Sequence, residues 1–110
     1  MMPTDWSALE RRLDLATGAD SDLDRDLAAA FALAEAPFTS SVADCRALAE
    51  AALPGLRLHL GYGASGMFPY ASLSGDGLCV MSESPTVPLA ILRSVMAART
   101  ARARSAPPAA

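Results

Sequence analysis

The sequence predicts an α+β domain in which a small, three-stranded, mostly antiparallel sheet (about residues 56–62, 67–73 and 77–82) is sandwiched by about four helices (about 5–17, 21–35, 41–53 and 86–103). Three observations carry that prediction. Residues 56–81 are the one stretch whose apolar side chains suit extended strands; the flanking segments repeat apolar residues at intervals of three and four; glycine-rich turns divide the central block in hairpin fashion. At 110 residues the chain is one domain, expected over residues 1–104 as an α/β/α sandwich. A domain of that size buries roughly two-thirds of the surface its unfolded form exposes, so it needs no staple.

In the first strand, Leu56-Arg57-Leu58-His59-Leu60 alternates, which puts three leucines on a buried face and Arg57 with His59 on a wet or partly covered one. The second, Phe68-Pro69-Tyr70-Ala71-Ser72-Leu73, contains a proline that lacks the ladder donor, so Pro69 is expected near the strand's beginning. Leu78-Cys79-Val80-Met81 does not alternate and is expected to be covered on both faces, with helices on both sides. Ser74-Gly75-Asp76-Gly77 and the glycines between 61 and 66 supply the turns.

Ser7-Ala8-Leu9-Glu10 has capping-box spacing, and Trp6, Leu9, Leu13 and Ala16 form the stripe of a first helix that Gly18 ends. Asp20 or Ser21 caps the second, whose acidic first turn suits the helix dipole and whose stripe is Leu23, Leu27, Phe31 and Ala34. The alternating acids from Asp20 to Asp26 imitate a calcium loop, but the required glycine and bidentate glutamate are replaced by Arg25 and Phe31. Ser41-Val42-Ala43-Asp44 opens the third helix; Val42, Cys45, Leu48, Ala49 and Leu53 form its inner face, and Pro54-Gly55 stops it. The fourth begins near Thr86 or Val87, because Pro88 is tolerated only in a first turn, and it buries Leu89, Ile91, Leu92, Val95 and Met96. Residues 105–110 are expected to form a disordered tail.

The net charge of −3 hides an asymmetry: residues 1–50 carry ten acids against four arginines, residues 51–110 two acids against five. Opposed halves can attract each other within the fold or between copies, and neither alone presents a strong field for nucleic acid. Cys45 and Cys79 occupy apolar positions, as buried free thiols do. The opening residues lack a basic region followed by an apolar run, and no stretch approaches the roughly 18 apolar residues of a membrane span, so a soluble cytoplasmic protein is expected.

Phe38-Thr39-Ser40-Ser41-Val42-Ala43-Asp44, running through Leu48 and Leu53-Pro54 into Gly55-Leu56-Arg57-Leu58, resembles the small phage and prophage proteins grouped as the phage alpha-beta-alpha sandwich domain. A leading acidic helix pair around Leu9-Glu10 and Leu23-Asp24 and a closing helix around Leu89-Ala90-Ile91-Leu92-Arg93 agree with it, and the resemblance covers most of residues 7–100. It departs at residues 56–60, where the family commonly has an aromatic in the first strand. The resemblance implies a helix-sheet-helix sandwich and a phage-like or prophage origin, in the cytoplasm of a bacterial host, and brings no activity and no functional residue with it.

Three groups of residues invite chemistry. Gly61-Tyr62-Gly63-Ala64-Ser65-Gly66 spells a dinucleotide fingerprint after a strand, but residues 67–77 leave no room for the helix whose N-terminus holds the pyrophosphate, so a hairpin loop is expected. A chain without lysine cannot carry a P-loop. His59, the sole histidine, reads as a half-exposed strand residue, and a pair with Cys45 depends on folding. Arg99, Arg102 and Arg104 read best as a solvated helix end complementing its dipole, with phosphate contact or pairing with a second copy's acidic half as the other uses. With no catalytic residue, metal ligand or cofactor site marked, the expectation is a non-enzymatic accessory protein of phage or prophage origin that binds a protein partner or itself. A nucleic-acid-binding accessory and a small enzyme are the alternatives.

Overall fold

The computed structural model describes residues 4–64 and 66–105, the last without its side chain; Ser65 and the remainder of the expected tail lie outside the described residues. Four helices, α1 (Trp6–Leu15), α2 (Ser21–Phe31), α3 (Val42–Ala52) and α4 (Val87–Ser105), accompany three strands, β1 (Arg57–Tyr62), β2 (Pro69–Gly75) and β3 (Leu78–Glu83). The strands form one antiparallel sheet in the order β1-β2-β3. This is the α+β fold the sequence predicts. Among the described residues no helix is long and apolar enough to cross a membrane.

The centre of the molecule is α4 rather than the strand block. It lies against β2 and β3, α1 and α3 pack on it, and α2 packs on α1. Leu89, Ala90, Ile91 and Leu92 are buried in succession, followed by Ser94, Val95, Met96 and Ala98. A helix covered over most of its circumference must be apolar over most of it, whereas a helix on the surface needs only one stripe. The Ser94 hydroxyl donates to the Ala71 carbonyl of β2 at 2.7 Å, so the polar group buried on this helix is satisfied.

Each helix begins on a side-chain cap. Asp5, not Ser7, accepts from the Ala8 N–H at 3.0 Å; Asp20 accepts from Leu23 at 3.0 Å, Ser41 from Asp44 at 3.2 Å and Thr86 from Leu89 at 3.3 Å. The first two helices stop earlier than periodicity suggests, whereas α4 runs on to Ser105, into the expected tail. Ala16 is extended and ends α1 before Gly18. Ala32 takes the left-handed conformation (φ 55°), and the N–H groups of Ala32 and Leu33 bond back to Ala29 and Ala28, a Schellman closure that ends α2 at Phe31 rather than at residue 35. Ala34, expected in the stripe, is consequently exposed.

Pro69 opens β2, where its missing donor costs least. Asp76 (φ 53°) and Gly77 (φ 77°) are the two-residue loop of the β2–β3 hairpin, and positive φ at both positions is what a type I′ turn requires. Gly61 and Tyr62 still belong to β1 and β2 comes directly after the loop, so the glycine-rich motif is a hairpin connection.

The expectation that β3 is covered on both faces is corrected. Its burial alternates: Leu78, Val80 and Ser82 are half-buried, and Cys79, Met81 and Glu83 are exposed, Met81 by 62%. The helices lie beneath the sheet and stack away from it, with α4 next to the strands, and the opposite face turns to solvent. An antiparallel sheet tolerates this, because hairpins place no crossover helix on its second face.

Candidate interaction surface

The register assembles the uncovered face row by row. Arg57 lies beside Ser74 and Cys79, His59 beside Ser72 and Met81, and Gly61 beside Tyr70 and Glu83. Arg57 and His59, distant from any catalytic partner in sequence, are both exposed here. The His59 and Tyr70 rings are 5.8 Å apart and tilted by 41°, and the Tyr70 ring lies across Gly61, where an added Cβ would meet it at 2.8 Å. The Glu83 carboxylate likewise occupies the space over Gly63 that a side chain would fill. Two glycines of β1 and its loop therefore make room for side chains reaching over from β2 and β3.

The helix-facing row of β1 is only partly covered: Leu58 packs against the core, whereas Leu60 and Tyr62 beyond it are exposed. α4 reaches β2 and β3, and beneath β1 there is instead a groove of about 180 Å³ bordered by Arg46, Ala49, Glu50, Leu56, Leu58 and Leu73. Leu58 is only half-buried, Leu60 is 36% exposed and Tyr62 67%. The expectation of three buried leucines is thus corrected: Leu56 and Leu58 are half-buried against the core and Leu60 is exposed, because the helix layer thins out beneath β1. Among the described residues, five of the six exposed large apolar side chains (Leu60, Tyr62, Met67, Phe68 and Met81) lie on the sheet or its first hairpin; the sixth is Leu15.

Elsewhere the chemically suggestive residues are engaged. Asp20 caps α2, Asp22 lies 3.7 Å from Arg25, Asp26 pairs with Arg12, and Asp24 accepts from both the N–H and the hydroxyl of Thr39 at 2.7 Å. The acids that imitate a calcium loop are thus each turned to a different partner. Among the described residues no group of three or more His, Cys, Asp or Glu is placed to hold a metal. A concavity of about 470 Å³ between α1 and α2 has Asp5, Arg12 and Asp26 on its walls, all committed to the cap of α1 and the Arg12–Asp26 ion pair.

Cys45 is buried on α3, with its thiol 2.7 Å from the Phe38 carbonyl and 3.5 Å from that of Pro88. Burial, reinforced by the charges of Asp44 and Asp24, pushes its pKa from 9.0 up to about 12, the opposite of what a nucleophile needs. His59 faces solvent on the sheet, so no Cys45–His59 pair forms. Cys79, read from sequence as buried, is exposed, and both thiols are free.

The arginines at the end of α4 do not gather. Arg99 stacks 3.5 Å over the Trp6 ring, which meets Phe31 edge-on at 5.2 Å. Arg102 lies 3.5 Å from Asp76 in the β2–β3 turn, and Arg104 is exposed.

Sequence reasoning missed two features. Cys79 and Met81 hid on the wet face because four apolar residues in a row look alike in either phase; carrying the strand on to Glu83 places a charge in their row, and that was the available signal. Arg93 is the other. Its side chain is 15% exposed, and it donates to the carbonyls of Leu13 (2.9 Å), Asp14 (2.7 Å), Ala16 (3.2 Å) and Glu83 (3.2 Å). One charge inside an apolar helix was the clue, since a buried guanidinium must find acceptors.

Comparison with protein-family models, with curated proteins and with solved structures gives no match.

Proposed function

We propose that this chain is a non-enzymatic binding module that works through its sheet, joining a protein partner or another copy of itself. The observation that carries this reading is the clustering of exposed apolar side chains, five of six, on the sheet and its first hairpin. A solvated face on an antiparallel sheet is ordinary by itself. Here, however, Met81 stands among Arg57, His59 and Glu83 on that face, while Leu60 and Tyr62 protrude from the edge strand. Exposed apolar groups rimmed by charge suit protein contact. The arginines at the end of α4 support a nucleic-acid role less well, since Trp6 and Asp76 hold two of the three, Arg99 and Arg102. The phage or prophage setting is the expectation that accompanies the resemblance, and capsid, tail or packaging genes beside this one would support it.

Photo-crosslinking residues at Met81 and Tyr62, with exposed Ala29 of α2 as the control position, test the reading in the producing cell. Discrete protein adducts from the two sheet positions and none from position 29 are expected. Equal adducts at all three, or a turnover by the purified protein that His59→Ala abolishes, would overturn it.

A further inference from the structure

We infer that the partner of β1 is β1 of a second copy, paired antiparallel about a two-fold axis so that two three-stranded sheets become one continuous sheet. This rests on the proposed binding function and specifies the occupant of its β1 edge.

The backbone fixes what β1 offers. Gly63 donates to Phe68 at 3.2 Å, which sets the phase of the β1–β2 ladder. Because antiparallel pairs alternate, Arg57, His59 and Gly61 turn their N–H and C=O groups toward β2, and Leu58, Leu60 and Tyr62 turn theirs outward. The side chains of these same three residues form one row, of which Leu58 packs against the core while Leu60 and Tyr62 extend past it and are exposed. β1 therefore presents unpaired backbone groups and uncovered apolar side chains together, and it carries no proline, no lysine and no inward charge to guard the edge.

A two-fold contact must be self-complementary. The register that places Leu60 opposite Leu60 of the second copy meets this condition on both faces. It sets each Leu58 opposite Tyr62, so that all three outward-facing residues exchange hydrogen bonds and the two apolar rows meet beneath the joined sheet. On the upper face it sets His59 opposite Gly61 and Arg57 opposite Gly63. Large side chains thus oppose glycines, and the space over Gly63 already holds the Glu83 carboxylate. Neither Arg57 nor Glu83 has an ion-pair partner among the described residues of one copy. In the pair, Arg57 of each copy lies beside Glu83 of the other. A slip by two residues in either direction gives up that charge contact and one of the three bonded pairs.

Sedimentation velocity of the full chain across a concentration series is the test. Wild type is expected to dimerise, Leu60→Lys and Arg57→Glu to shift the equilibrium to monomer by at least tenfold in Kd, and the double exchange of Arg57→Glu with Glu83→Arg to restore it, all with circular dichroism spectra like wild type. Restoration by the exchange cannot arise from a folding defect. A wild type that stays monomeric into the hundreds of micromolar, or a dimer indifferent to Leu60→Lys and Arg57→Glu, would overturn the pairing. If adducts still formed at Met81 and Tyr62 in that case, the binding function would stand and only its occupant would be wrong.

Discussion

β1 and β3 are the two edges of one sheet and are equal in length at 6 residues, yet they differ in what lies beneath them. β3 rests on α4, and Arg93 of that helix holds the Glu83 carbonyl at its end. β1 projects past α4, held by its ladder with β2 and by Leu58, while Leu60 and Tyr62 lie exposed beyond the core. The same antiparallel geometry thus yields one edge built into the core and one left available. Burial of a strand is decided by the layer under it as much as by its own alternation, which is regular in β1.

Thiol chemistry gives the largest contrast between covered and uncovered ground. Cys79, on the bare face of β3, should react with a disulfide reagent at the rate of an exposed thiol, and Cys45 only as fast as the protein opens, which for a stable domain is slower by a factor on the order of 10³ or more. Stopped-flow labelling of Cys45→Ala and Cys79→Ser separates the two, and comparable rates would contradict the burial of Cys45. The raised pKa of Cys45 adds a pH window. The folded state keeps its proton up to about 12 while the unfolded chain loses it from 9.0, so stability should fall as pH rises through that interval. Cys45→Ala should remove this part of the alkaline decline in urea titrations.

Next in size is the core beneath β2. Leu73 is 1% exposed, and Leu73→Ala should cost about 2–5 kcal/mol in urea unfolding, the range for a fully buried leucine. A loss under about 1 kcal/mol would mean that the sheet and α4 pack more loosely than the burial of Leu73 requires. Arg93→Met ranks after it: the substitution keeps much of the apolar stem but withdraws charged donors from four carbonyls at part-buried and exposed positions, and a hydrogen bond to a charged group is worth about 1.5–3 kcal/mol. Amide exchange should localise the loosening to α1 and the end of β3.

Legibility in the sequence tracks the range of the forces involved. Caps, turns and strand breaks act over a few residues, so Asp20, Ser41, Pro69 and the Asp76-Gly77 turn could be read from local spacing. The centrality of α4 was half legible, as Ile91 widens its stripe beyond one face. The cover on each strand was not, because a leucine row looks the same above a helix and beyond its end. The interaction surface suffered the same limit: Arg57 and His59 could be assigned to one face, but their joining with Met81 and Glu83 depends on the β1-β2-β3 order, and strand order is not written in any single segment.

The smallest effect is the most discriminating. At concentrations low enough for the chain to be monomeric, Leu60→Ala should cost about 1 kcal/mol or less, because a side chain 36% exposed gives up only part of what a core leucine loses on truncation. The identical change at Leu73, directly beside Leu58 in the same sheet, is expected to cost several times more. If Leu60→Ala matched Leu73→Ala in dilute solution, β1 would be as firmly seated as β2, the contrast between the two edges would vanish, and the apolar row of β1 would have to be counted as core rather than as a surface awaiting a partner.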